Sequence, residues 1–137
     1  MLSRVLSLFL ALLFSGAALA EPKKIGFLAQ PSDWDETIRS QSQTLVTSLS
    51  QAGFEVVYVE ALYLPEILSK TRELVYHDRV DALLLRTYVS LPPQLFSDVN
   101  IDIPVVSFNT PIELPHAVYI GYNPVEIGKA QIGFLAE

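Results

Sequence analysis

The sequence predicts an α/β chain: a parallel sheet of about five strands flanked by helices and preceded by a signal peptide. Three observations predict it. Short apolar runs at 25–29 and 82–85 do not alternate with polar residues, the pattern of strands buried on both faces. Amphipathic stretches with capping residues separate these runs, and short loops join them, which implies right-handed crossovers and a parallel sheet. At the amino end, an apolar leader closes on Ala18-Leu19-Ala20 and runs directly into the first strand pattern.

The leader sets the compartment. Arg4 supplies a positive start, residues 5–14 an apolar core broken only by Ser7, and Ser15-Gly16 a helix-loosening step before the small-residue cleavage pattern. The apolar stretch is shorter than the roughly 20 residues that span a bilayer, so cleavage after Ala20 is favoured over an anchor. The expectation is a 1–20 signal peptide and a 21–137 mature chain in the periplasm, with no stable membrane insertion. The chain has no cysteine and a formal net charge of −6, so thiolate metal sites and cysteine nucleophiles are excluded. The acidic balance argues against nucleic acid, which needs a basic footprint. With half its residues hydrophobic, the chain has enough apolar side chains for a core.

The elements follow in order. Residues 25–29 form the first strand, and Gln30-Pro31-Ser32-Asp33 is turn chemistry. Asp33 and Glu36 make a capping box for a helix whose apolar positions are Ile38, Leu45, Val46, Leu49 and Ala52, closed by Gly53. Residues 54–59, β-branched and aromatic, are the second strand. Leu64-Pro65 opens a helix lined by Ile67, Leu68, Thr71, Leu74 and Val75, with 77–79 as its exit turn. Residues 81–86 are the third strand, and Pro92-Pro93 start a short helical piece through Phe96. Residues 103–108 are the fourth strand, with Pro104 near its start, where a missing N–H does least damage. A short fifth strand at 117–120 ends on Gly121. Asn123 as N-cap and Pro124 at the first helical position start a last helix carrying Val125, Ile127, Ala130, Ile132, Phe134 and Leu135.

In open α/β sheets, ligands sit beyond the carboxyl ends of the strands. Those ends carry Gln30, Ser32, Asp33 and Trp34 after the first strand, and Arg86, Thr87 and Tyr88 after the third. Asn109 and Thr110 follow the fourth, and Tyr122 and Asn123 the fifth. Gln30, Asp33, Trp34, Arg86, Asn109 and Thr110 are the candidate ligand-binding residues. Each has a structural alternative. Trp34 is either a ring that stacks on a ligand or one that caps the core edge. Asp33 is more a helix cap than a ligand group. Arg86 leaves a very apolar strand, so it needs a ligand, an ion pair or water. Asn123 is a cap.

His77 and His116 lie in separate loops without metal-ligand spacing, and no phosphate-binding glycine loop, nucleophile elbow or metalloprotease helix occurs. Asp33 and Asp35 sit at a helix start, where the macrodipole favours negative charge. No catalytic residue, metal or cofactor is expected.

The chain resembles the amino-terminal lobe of type 1 periplasmic binding proteins, the class that includes ribose and galactose receptors. The resemblance is carried by Lys24-Ile25-Gly26-Phe27, by 51–56, by 80–85 and by 103–106. It ends on 119–128, where Gly128 takes the place of close helix–sheet packing. It covers essentially all of the mature sequence and implies a single Rossmann-like lobe. Family members have two such lobes that close on a ligand, and the chain corresponds to one, so it reads as truncated, with apolar surface left uncovered. Many sugar receptors of the family have Asp-Arg after the fourth strand, gripping vicinal hydroxyls. Here the pair is the neutral Asn109-Thr110. Residues 30–34 and 109–111 also resemble the furanosyl-borate quorum-signal receptor.

The resemblance implies a solute-binding component of an ABC-type importer for a small polar or sugar-like ligand, docking on a membrane permease. The alternative is a sensory binding protein that passes ligand occupancy to a membrane kinase or cyclase. A secreted α/β enzyme is a third reading, disfavoured by the lack of a nucleophile or metal motif.

Overall fold

The computed structural model describes residues 20–31, 33, 35–114, 117–121 and 124–135. Five parallel strands make one sheet: β1 (Lys24–Ala29), β2 (Glu55–Glu60), β3 (Ala82–Arg86), β4 (Val105–Phe108) and β5 (Ala117–Ile120), in the spatial order β2-β1-β3-β4-β5. The chain therefore leaves β1, adds β2 on one side, then crosses back to build β3, β4 and β5 on the other. The predicted α/β class and parallel sheet are what the structure shows.

Helix α1 (Glu36–Gln51) covers one face of the sheet. The outward pleat of the central strands puts Ile25, Phe27, Ala29 and Leu84 under Leu45, Val46 and Leu49. Phe27 is fully buried, with its ring edge-on to Tyr58 at a centroid distance of 5.3 Å. The opposite face is covered by α2 (Leu64–Arg72), which carries on as a wider helical turn over Glu73–His77, and by a short 3-10 segment, Pro93–Phe96. Leu28, Ile67, Leu74, Leu83, Leu85 and Val105 form that second, larger core layer. Gly26 lets the wider turn in close, since a β-carbon there would stand 3.2 Å from both methyls of Leu74.

The helix punctuation is partly as expected. Pro65 sits in the first turn of α2, and Gly53 follows the end of α1 with φ of +93°, a conformation that favours glycine. The cap of α1 differs from expectation: Asp35, not Asp33, is the N-cap, and its Oδ1 accepts the Thr37 N–H at 2.7 Å. Two acids flank residue 34, and the one adjacent to the first helical residue has the reach to the second helical amide, that of Thr37. The fourth strand begins at Val105 rather than 103, because Pro104 joins the ladder only through its carbonyl, which accepts the Leu83 N–H at 2.9 Å. The helix α2 does not stop before His77; the wider turn absorbs the predicted exit.

At the amino edge, Asp81 ties the start of β3 to β1. Its carboxylate accepts the Lys24 backbone N–H at 2.8 Å and the Lys23 ammonium at 3.3 Å. The Lys24 amide bond first, and the Lys23 interaction after it, hold its carboxyl below the ordinary carboxylate range.

The third helix, α3 (Pro124–Leu135), follows β5. Val118 and Ile120 on the edge strand and Val125, Ile127 and Ile132 on the helix are all exposed, Ile132 by 71%. The expected uncovered apolar surface is there. Gly128 does not mark close helix–sheet packing, because a β-carbon on it meets nothing within 4 Å. The leader through residue 19, together with Ser32, Trp34, His116, Tyr122 and the Asn123 cap, lies outside the described residues.

Candidate functional site

The register of the sheet levels the strand ends. Ala29 stands opposite Arg86, Arg86 opposite Phe108, and Phe108 opposite Ile120. One residue further on, Gln30, Thr87, Asn109 and Gly121 form a row along the carboxyl edge. At the usual strand spacing of about 4.8 Å, Gln30 and Asn109 are roughly 10 Å apart. The gap between β1 and β3 is where the strand order reverses, the topological switch point of the sheet. Gln30 and Thr87 flank it, and the Gln30 N–H bonds the Arg86 carbonyl across it at 3.2 Å.

The loops after β3 and β4 are cross-tied. Thr110 Oγ1 donates to the Thr87 carbonyl at 2.7 Å, and Thr87 Oγ1 to the Val89 carbonyl at 3.3 Å. Leu91 and Ile112 pair as an isolated parallel bridge just beyond. Asn109 stands in the left-handed region with φ of 68°, which asparagine tolerates better than most residues. Its side chain is exposed.

The structure thus brings four of the six candidates, Gln30, Arg86, Asn109 and Thr110, to one edge, but it commits two of them elsewhere. The Thr110 hydroxyl is used in the loop tie. Arg86 turns onto α1, donating from Nη2 to Gln41 Oε1 at 2.5 Å and from Nη1 to Ser42 Oγ at 3.2 Å and the Ile38 carbonyl at 3.4 Å. These partners are neutral acceptors, not the ion pair held open above. Asp33 is exposed and sits 3.5 Å from Arg39, which also pairs with Glu36 at 3.0 Å. Trp34 falls outside the described residues.

Sequence reasoning missed the polar network behind Arg86. Ser42 is buried on the sheet-facing side of α1, and Tyr58 on β2 donates to Glu60 Oε1 at 2.7 Å. Burial, and then the Glu60 carboxylate, push the Tyr58 phenol up to about 12. A serine four residues after Ile38 and three before Leu45, on an otherwise apolar stripe, was the available signal. A cavity of about 270 Å³ lined by Arg39, Ser42, Gln43, Val46 and Tyr58 opens beside this network, between α1 and the edge strand β2. A larger crevice of about 700 Å³ at the amino edge is lined by Lys23, Lys24, Glu55, Asp78 and Asp81 among others, which pair with one another. Neither crevice lies at the switch point.

Among the described residues, no group of three or more His, Cys, Asp or Glu is placed to hold a metal ion, and no helix is long and apolar enough to cross a membrane. The His77 ring is exposed, 3.0 Å from Asp78.

No family model and no curated protein matches the chain in sequence. Solved structures match its fold. A periplasmic binding protein/LacI transcriptional regulator from Alkaliphilus metalliredigens QYMF, complexed with D-xylulofuranose, aligns with a TM-score of 0.57 at 18% identity, over 83% of this chain and 41% of that one. The lac repressor dimer bound to operator and the anti-inducer ONPF aligns with a TM-score of 0.55 at 16% identity, over 81% and 38%. A transcriptional activator of the comK gene from Bacillus halodurans aligns with a TM-score of 0.50 at 20% identity, over 70% and 33%. The chain has the fold of a single α/β lobe of the periplasmic binding protein/LacI type, and it spans less than half the length of these structures. They are binding and regulatory proteins.

Proposed function

We propose that the chain is the extracytoplasmic solute-binding component of an ABC-type importer and captures a small polar or sugar-like ligand at the carboxyl edge of its sheet. The observation that carries the reading is the pair of neutral side-chain amides, Gln30 and Asn109, at one level along the edge that holds the switch point. Side-chain amides there suit a ligand that both donates and accepts hydrogen bonds but carries no strong charge. The fold neighbours include one solved with D-xylulofuranose and one with the anti-inducer ONPF, which supports a ligand of that size. In this reading the protein performs no chemistry; residues 1–20 direct it to the periplasm and are removed after Ala20, and ligand occupancy is presented to a membrane permease.

The test is calorimetric titration of the secreted full-length gene product with D-ribose, D-xylulose and D-galactose. Saturable binding that Asn109→Ala and Gln30→Ala each weaken at least tenfold is expected. Binding that neither substitution disturbs removes the site from the carboxyl edge. Amino-terminal sequencing of the secreted product should begin at Glu21. Copurification with a permease and its ATPase supports transport; copurification with a kinase or cyclase replaces it with sensing.

A further inference from the structure

We propose that Tyr119, with Gly121 making room for it, is a positioning residue that holds Asn109 ready for ligand; the proposal rests on the solute-binding reading above. Tyr119 lies on β5 opposite Ser107, two residues before Asn109 on the neighbouring strand. Its ring runs along the sheet toward the carboxyl edge, and its hydroxyl donates to the Asn109 carbonyl at 3.3 Å. A β-carbon on Gly121 would overlap the phenol end of that ring. A side chain at 121 would therefore push the ring aside, so the absence of one leaves a β5 side chain free to reach across to the end of β4.

The bond falls on a peptide that needs support. Asn109 is in the left-handed region, and the residue after it is tied by its N–H to the Phe108 carbonyl at 2.8 Å and by its hydroxyl to Thr87. With its carbonyl held by Tyr119, the Asn109 backbone is fixed from both sides. Its side-chain amide makes no hydrogen bond among the described residues, and it stands in the row that faces the ligand. A loop fixed before the ligand arrives loses less entropy on binding, so the gain appears as affinity. The tie uses only main chain and a phenol, leaving the side chain of Asn109 for recognition.

The experiment compares Tyr119→Phe, which removes one oxygen, with Gly121→Ala, which displaces the ring, both in the full-length gene product. Amide exchange at Thr110 should speed up about three- to tenfold in each, the range of one ordinary hydrogen bond. Affinity for whichever of D-ribose, D-xylulose and D-galactose binds should fall by the same factor in the wild-type background and stay unchanged in an Asn109→Ala background. Tyr119→Phe should add nothing to Gly121→Ala. An equal loss in the presence and absence of the Asn109 side chain, or unaltered exchange at Thr110, overturns the positioning role while leaving the site in place. Failure of the wild-type protein to bind any of the three sugars instead overturns the solute-binding reading for this class of ligand.

Discussion

Replacing Arg86 with methionine separates two roles that a cation at a strand end can play. In the structure its guanidinium reaches Gln41, Ser42 and the Ile38 carbonyl, so it clamps the carboxyl end of β3 to the first turns of α1. Hydrogen bonds from a charged donor contribute about 1.5–3 kcal/mol each at best. The 3.4 Å contact counts for little, the site is half-buried, and methionine recovers part of the aliphatic packing. Ser42 stays buried, although its hydroxyl also reaches Tyr58. The net loss worked from these terms is about 2–3 kcal/mol, or roughly 10 °C in Tm for a domain of this size. Thermal and urea unfolding of the purified protein measure it, with sugar titration alongside. A Tm that does not move, accompanied by a thirtyfold or greater loss of affinity, would refute the clamp and return Arg86 to the ligand.

Other expectations are narrower. Ser107 Oγ is buried without a hydrogen-bond partner on β4, so Ser107→Ala should leave stability unchanged or raise it by about 1 kcal/mol; a drop in the urea midpoint would show that the hydroxyl has a partner after all. Gly53→Ala puts a side chain where φ is +93° but nothing lies within 4 Å, so the cost is conformational only, about 1 kcal/mol. A cost of several kcal/mol would point to a steric conflict instead. The Tyr58 phenol ionises at about 12 in the folded chain and near 10 when unfolded, so the unfolded chain gives up that proton first. Its stabilising contribution is whole below pH 10 and is lost as pH rises from there through 12. Tyr58→Phe should flatten that part of the stability curve, and a curve that superimposes on the wild type counts against the assignment.

Much of this architecture was legible because it is written in local chemistry. The apolar runs at 25–29 and 82–85, the Leu64-Pro65 helix start and Gly53 each specify backbone conformation within a few residues. The same locality explains the near misses. Asp33 and Asp35 both offer a capping carboxylate, and only the actual start of α1 decides between them. Pro104 reads as a strand residue by pattern, but its missing N–H delays the paired ladder to Val105. The site was legible as a place and less so in its particulars. Strand ends bring Gln30, Arg86, Asn109 and Thr110 to one edge by topology alone. Which of them is already engaged depends on contacts far apart in sequence, such as Arg86 with Ser42 and Thr110 with Thr87, and these follow only once α1 and the loops are packed.

The strand order carries a consequence for how the chain is made. Synthesis delivers a polypeptide from its amino end, and of the described strands the first to emerge, β1, is an interior strand of the sheet. β2 joins one side of β1, β3 the other, and β4 and β5 then extend that second side one at a time. None of the described strands has to be inserted between two that are already paired. The sheet can therefore be built vectorially, each newly delivered segment finding an open edge, and the earliest pairing, β1 with β2, already buries Phe27 against Tyr58. Lesions in β1 act at the first step of that assembly, whereas lesions in β5 act at the last.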